Sequence, residues 1–548
     1  MTNRGAEGTG TPAGGIVHAP RGTALSCKGW EQEAALRMLM NCADPEVAER
    51  LAAPIAGPGA GAGAGNARDW EGFRATLAAL RELESDQTLL MRAGGPVALF
   101  RTRAEAPRVV LATNRAANPS EAASANWLYV GTQSGLPTAY EAFAAAARKH
   151  FDGTLAGRLV VACGMGATGG AQALAATLNG AAFLGVDADP EQIKRRVKTG
   201  YCEAMVNDLD EALRILKNAA RKREAASVGL IGNCAQVIPE LASRGIVPDL
   251  LTDQTPADDL RGGYIPSGLS TEQARELWSG DPQSYRQRAQ GSMATQARGI
   301  LELKRLGSLA FRFPDFAAEY IPPLLSAGRR PLLWVALSGE PGDIARADRL
   351  ALEIFAGDEA AARWIRLASR HVQFQGLPAR VSWVDKALRA KFGLALNDLV
   401  AQGALKAPIV IGGGVLGVGG GVGTETSHRA GTTEADEGSD AAPTSSTLDA
   451  LLDGLRRTQG AGASAGSWVE VQEQDRRDAN DANTEFPGGS RSQLLAYAVV
   501  ADGTAEMARR IERVLSDDPG EMDASSADAG STRVTEAAGQ APAKIPRP

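Results

Sequence analysis

The chain has 548 residues, of which 44% are hydrophobic and 22% charged, with a net charge of −6. It is long enough for two or three domains with buried cores. Acids and bases alternate through most of its length, which excludes a polybasic footprint for nucleic acid or for a membrane surface. No apolar run approaches the roughly 20 residues that span a bilayer, no continuous apolar segment opens the chain, and the five scattered cysteines lack CxxC spacing. The expectation is therefore a cytoplasmic protein with reduced thiols and no secretory signal.

Residues 1–29 are rich in Gly, Thr, Ala and Pro and are expected to form a disordered tail. Helical patterning runs from Trp30 to Leu51, with Asp44-Pro45-Glu46 as an internal cap and restart. Ala56 to Asn66 is almost pure Gly and Ala and reads as a flexible loop or insertion. A second helix is predicted over Trp70 to Leu83. Strands are predicted at Val97–Phe100, Val109–Ala112 and Trp127–Val130.

The richest segment follows. An apolar run, Gly157 to Cys163, leads into Gly164-Met165-Gly166-Ala167-Thr168-Gly169, which opens a helix-compatible stretch to Ala181. A second apolar run, Ala182 to Val186, then ends in Asp187. Strand, glycine turn, helix, strand and acid is the order of a dinucleotide-binding βαβ unit. Gly164 permits the tight turn, Gly166 lets backbone approach a pyrophosphate, and Gly169 lets helix pack on strand. The amides of Ala167, Thr168 and Gly169 would offer the helix N-terminus to phosphate, and Asp187 would accept hydrogen bonds from a ribose. Beyond it, Ser227–Gly232 is a strand ending in Asn233-Cys234, Val237–Ser243 a helix, and Asp249–Thr252 a strand ending in Asp253-Gln254-Thr255. Alternation of this kind implies a parallel sheet covered on both faces, with Gly164–Gly169, Asp187, Asn233 and Gln254-Thr255 on one rim.

A second α/β region begins at residue 331, with strands at Leu332–Leu337, Val381–Val384 and Pro408–Ile411. Gly412–Ser446 and residues 470–490 read as loops, Leu494–Ala501 as an apolar run, Glu506–Leu515 as a helix, and the stretch from Glu521 as a low-complexity tail. The four histidines (His18, His150, His371, His428) show no i, i+4 pairing, so no metal site is expected.

Many segments resemble one family, urocanase (urocanate hydratase), in order from about residue 40 to 530. They include Asp44-Pro45-Glu46-Val47-Ala48-Glu49, Tyr129-Val130-Gly131-Thr132-Gln133, Gly169-Gly170-Ala171-Gln172, Asp253-Gln254-Thr255, Ala336-Leu337-Ser338-Gly339, Phe374-Gln375-Gly376-Leu377-Pro378-Ala379-Arg380 and Ala407-Pro408-Ile409-Val410-Ile411-Gly412. The resemblance implies an α/β protein in which a Rossmann-like, parallel-sheet NAD-binding domain (138–325) is inserted into a larger α/β core built from residues 30–137 and 326–520, with a tail at 521–548. It also implies a homodimer acting on a small molecule. The family reaction is hydration of urocanate to imidazolone propionate in histidine degradation, with the nicotinamide of NAD as electrophile. Cofactor contacts would fall on Gly164, Gly166, Ala167, Thr168, Gly169, Asp187, Asn233, Cys234, Gln254, Thr255, Ala257 and Tyr264.

The chain departs from the family where the chemistry is done. Ala60 to Ala64 lacks the family's tyrosine, Glu121 replaces a glutamine, and a Tyr-Gly-Asn-Asn segment is missing around Lys304–Phe311. Leu333 replaces an arginine suited to the substrate carboxylate, Ser382 the active-site cysteine, and Gly413-Gly414-Val415-Leu416-Gly417 an Arg-Asp-His-Leu-Asp segment. Asp258 replaces a histidine and Gln192 an arginine. One reading is a family member that keeps the fold and the NAD pocket but has an eroded catalytic set. The alternative is an active hydratase on urocanate or on a thio- or methyl-urocanate. A plain NAD-dependent dehydrogenase fits the resemblance less well. Ser382 reads more readily as a strand serine bonded to its own backbone and Cys234 as a small buried filler, while Tyr264 reads equally as a packing residue on the sheet rim.

Overall fold

The computed structural model describes residues 17–48, 67–92, 95–101, 108–112, 127–254, 264–312, 315–413 and 498–516. The expectations for Ala56–Asn66, Thr255, Ala257, the loops after residue 413 and the C-terminal tail lie outside these residues. Residues 17–29 belong to the segment expected as a disordered tail. They have neither helix nor strand but are packed, with Val17, Ala19 and Cys27 buried in the core.

Helix α1 (Trp30–Ala43) ends where Asp44 turns the chain, and helix does not resume before residue 48. The capping chemistry at Asp44 therefore closes a turn, its carboxylate accepting from the Glu46 amide at 2.9 Å, and starts no helix among the described residues. Helix α2 (Ala67–Glu82) is followed by β1 (Gln87–Arg92), β2 (Gly95–Arg101) and β3 (Val109–Ala112). These form a sheet of order β2-β1-β3, with β1 antiparallel to β2 and parallel to β3. The strand predicted at Trp127–Val130 is absent. Trp127 has φ of 55° and Gly131 φ of 80°, and the Val130 amide donates to Ser134 Oγ at 2.9 Å, so the chain curls into a 3₁₀ turn at Gly131–Ser134. Local turn bonding outweighs apolar strand propensity there.

Helix α3 (Leu136–His150) leads into the central unit. In chain order it comprises β4 (Leu159–Cys163), α4 (Ala167–Leu178), β5 (Ala182–Asp187), α5 (Pro190–Lys198), β6 (Ala204–Val206), α6 (Leu209–Lys222), β7 (Ala226–Ile231), α7 (Cys234–Ser243), β8 (Leu250–Asp253), α8 (Thr271–Gly280), α9 (Pro282–Arg305) and β9 (Leu309–Arg312). All six strands are parallel, in the order β6-β7-β5-β4-β8-β9. Side chains alternate between two cores. Val161 and Cys163 join Leu184, Leu213, Leu230, Ile238 and Leu303 on one face, while Val160, Ala162 and Phe183 join the main core on the other. Burial on both faces is why these strands read as continuous apolar runs. Their helices start on polar caps: Asp189 accepts from Glu191 N, Asp208 from Glu211 N, Asn233 from Ala235 N, and Ser270 forms a capping box with Gln273.

The remaining elements are α10 (Asp315–Tyr320), α11 (Pro322–Ser326), β10 (Arg329–Ala336), α12 (Pro341–Ile354), α13 (Glu359–His371), β11 (Ala379–Asp385), α14 (Lys386–Ala401), β12 (Ile409–Gly413), β13 (Ala498–Ala501) and α15 (Ala505–Ser516). Their sheet, ordered β11-β10-β12-β13, is antiparallel throughout and holds Trp334 and Trp383 fully buried. The Trp383 indole donates to Thr138 Oγ1 of α3 at 3.2 Å, tying the sheet to the parallel unit. None of the described helices is long and apolar enough to cross a membrane.

Candidate functional site

Chain order and strand order part company between β4 and β8. From β4 the chain moves to β5 on one side, and β8 lies on the other, so the crevice of the sheet's switch point falls beyond the carboxyl ends of these two strands. Open parallel sheets bind ligands at such a point. The glycine turn sits there. Gly164, at φ of 90°, donates to Val186 O at 2.7 Å, while Gln254 N donates to Cys163 O at 2.9 Å, extending the pairing of β4 and β8. Gly166 begins α4 with no side-chain cap, and a Cβ there would meet nothing within 4 Å. A Cβ on Gly169 would lie 1.8 Å from Gly164 O, so only glycine closes the turn against the helix.

Asp187 ends β5 beside the turn. Its Oδ2 accepts from Met165 N at 2.6 Å and its Oδ1 from Asp189 N at 2.8 Å, so the carboxylate knits the glycine turn to the start of α5. Burial pushes its pKa up to about 6, against the lowering effect of those two amides and of the Arg196 charge. The predicted ribose acceptor thus holds the turn as well as facing the crevice, with lone pairs on both oxygens left for a further donor.

Asn233 caps α7 and donates from Nδ2 to Ile265 O at 2.7 Å, and the Cys234 thiol donates to Val186 O at 3.4 Å. Cys163 is hydrogen-bonded to Cys234 and buried, which pushes its thiol well above the usual range. Tyr264 donates to Gln296 Oε1 at 3.3 Å, and Gln296 Nε2 donates to Asp253 Oδ1 at 3.0 Å, so the tyrosine is anchored to the end of β8. Burial pushes the Tyr264 pKa up. The structure brings Gly164–Gly169, Asp187, Asn233, Cys234, Gln254 and Tyr264 to one rim.

Do these residues fit a dinucleotide? Gln254 packs beside the turn, its Cβ 3.7 Å from where a Gly164 Cβ would be, and its buried Oε1 has no hydrogen-bond partner. Gln192 Oε1, at the start of α5, is also buried and unpartnered. An unmet buried acceptor costs about 1–3 kcal/mol. Two such acceptors beside an uncapped helix N-terminus and a carboxylate match a ligand that carries phosphates with ribose hydroxyl and amide donors. The residues fit.

Ser382 lies elsewhere. It pairs with Leu332 across β11 and β10, on the face that carries the Arg380–Asp348 ion pair (2.8 Å) and the Trp334–Phe392 contact. It is fully buried, with no partner for Oγ, and its neighbour Trp383 points to the opposite face, toward α3. Leu333 shares that opposite face with Val381 and is itself fully buried. The residues that sequence reasoning missed are Thr132, Arg196 and Gln375, which clamp the turn from the side. Nothing in a short basic run such as Lys194-Arg195-Arg196 marks which member is buried.

Family models match the chain in sequence along most of its length: a urocanase N-terminal domain over residues 17–136, a urocanase Rossmann-like domain over 131–316, and a urocanase C-terminal domain over 323–474. The chain belongs to the urocanase family. The urocanase Rossmann-like match begins at the 3₁₀ turn and ends within α10, so it contains every strand of the parallel sheet. The urocanase C-terminal match holds β10–β12 and with them both Leu333 and Ser382.

Proposed function

We propose that this urocanase binds NAD at the β4–β8 crevice but has lost the side chains that make hydration of urocanate fast. The single observation that carries the cofactor half is the glycine turn at the topological switch, with an uncapped α4 N-terminus and orphaned acceptors around it. The amides of Ala167, Thr168 and Gly169 would hold the pyrophosphate, Asp187 and Gln192 the ribose, and Asn233, Gln254 and Tyr264 the far side, with Thr255 and Ala257 following Gln254 in the chain. When bound, NAD would supply an electron-accepting nicotinamide ring, the electrophile of the family reaction.

The second half rests on chemistry that is missing. A buried leucine at 333 cannot pair a carboxylate, and a charge-assisted hydrogen bond of that kind contributes about 1.5–3 kcal/mol. Each positioned donor or acid lost typically lowers a rate by about 10²–10⁴. The Ser382 hydroxyl is fully buried and has no hydrogen-bond partner. The reading extends to a homodimer in the cytoplasm, supported by the family and by five cysteines that all remain free, and to a non-catalytic role beside an intact urocanase.

The test is direct. Purified protein, denatured and analysed by mass spectrometry, should release NAD. Incubation with urocanate should leave its near-ultraviolet absorbance unchanged on the timescale of an intact urocanase. Loss of absorbance at an ordinary enzymatic rate would overturn the eroded-site reading. Turnover confined to thio- or methyl-urocanate would instead establish a reshaped substrate pocket.

A further inference from the structure

Helix α5 carries three consecutive bases with three different fates. Lys194 is exposed and pairs with Glu191, and Arg195 donates to Pro45 O and Glu46 O on the turn after α1. Arg196 is fully buried. Its Nε donates to Met165 O, inside the glycine turn, at 3.0 Å, and its Nη1 donates to Thr132 Oγ1 at 2.6 Å. The Thr132 amide in turn donates to Gln375 Oε1 at 2.8 Å, on the loop that precedes β11. Two glycines make the chain of contacts possible. A Cβ on Gly170 would sit 2.2 Å from Arg196 Nε, and one on Gly131 would sit 2.3 Å from Gln375 Oε1.

A buried guanidinium is costly to desolvate and persists where its fixed fork satisfies several acceptors at once. Here it joins the glycine turn to the 3₁₀ turn, and the 3₁₀ turn to the core loop. Met165 is thereby held through two successive peptide groups, the N–H before its Cα by Asp187 and the carbonyl after it by Arg196. Rotation of the peptide that follows Met165 would swing the Gly166 amide and those after it, which in the NAD reading would meet the pyrophosphate.

We propose that Arg196 is a positioning residue that sets the glycine turn from the core domain, so that Thr132 and Gln375 tune affinity for a pyrophosphate-bearing nucleotide through it. This rests on the NAD reading above. It means that the cofactor crevice is completed by the seam between domains and not by the parallel-sheet unit alone.

The mild variant is Thr132→Val, which keeps the backbone amide that donates to Gln375 and removes the hydroxyl that accepts from Arg196. With the full chain, calorimetry would give affinities for NAD, ADP-ribose and adenosine, and hydrogen exchange would follow the amides of residues 164–170. Thr132→Val should weaken NAD and ADP-ribose by about tenfold, the scale of one hydrogen bond from a charged donor, and leave adenosine unchanged. Exchange in the turn should accelerate while the central strands of the parallel sheet keep their protection. Adding Thr132→Val to Arg196→Met should cost no more than Arg196→Met alone, because the two act as one unit. Equal losses for all three ligands, or unchanged affinity with unchanged exchange, would overturn the proposal. If the unmutated chain binds no NAD, the cofactor reading falls by itself. The exchange result then decides whether Arg196 sets the turn.

Discussion

At the scale of single residues, Asp187 and the glycines of the turn make separable predictions. The Asp187 carboxyl titrates near 6 in the folded chain and near 3.8 as an ordinary aspartate. Between those values the native state binds more protons than the unfolded one, so this group's contribution to stability declines as pH rises through the window and reaches its full penalty above 6. Cofactor affinity should run the other way. Protonation removes an acceptor from the Met165 or Asp189 amide, so NAD binding should weaken as pH falls from 7 through 6. Asp187→Asn should bind weakly at every pH, which titrations between pH 5 and 8 would reveal. Gly166→Ala and Gly169→Ala should divide cleanly. The first adds a methyl to open space in the crevice, leaving stability within about 1 kcal/mol but obstructing NAD. The second drives a methyl into Gly164 O and should cost at least the roughly 1–3 kcal/mol of an overpacked site, measured by urea unfolding.

At the scale of elements, helix α1 shows how a polar pair can hold apolar layers together. Arg37, fully buried, donates to Glu33 at 2.8 Å and to the carbonyls of Gly22, Ala24 and Leu337. Glu33 also accepts from the Ser26 amide and hydroxyl and from the Cys27 amide. Burial alone would push its carboxyl up, yet hydrogen bonds from Arg37 and Ser26 hold it below the usual range. Arg37→Met would strand a buried carboxylate and three carbonyls. We expect a loss of about 3–5 kcal/mol by denaturant unfolding, with release of the 17–29 segment detected as faster proteolysis. The same residues explain why that segment was read as tail. Its composition has few apolar residues, and its order comes from a guanidinium that lies farther along the chain. Strand periodicity likewise failed at Trp127–Val130, where a left-handed residue and a serine hydroxyl decided the geometry.

At the scale of the whole molecule, the parallel unit and the antiparallel sheet are joined by specific bonds through α3 and the 3₁₀ turn as well as by shared core. Trp383→Phe replaces the buried indole with a smaller ring and deletes its donor to Thr138, and should cost about 1–3 kcal/mol without altering NAD affinity. A thermal shift of a few degrees together with an unchanged binding isotherm would meet that expectation.

The sequence by itself determined the family, the parallel sheet and the glycine turn with its acid, because each is written in local periodicity and in residues adjacent along the chain. Tertiary structure alone decided the rest. It selected Arg196 from a basic run as the member buried against Met165, buried the Ser382 hydroxyl with no hydrogen-bond partner, and turned Asp187 into a brace for the loop it was expected only to accompany. Those outcomes depend on burial and on contacts between segments far apart in the chain, and the free energy of burying a charge or a hydroxyl is set by the neighbours that folding supplies.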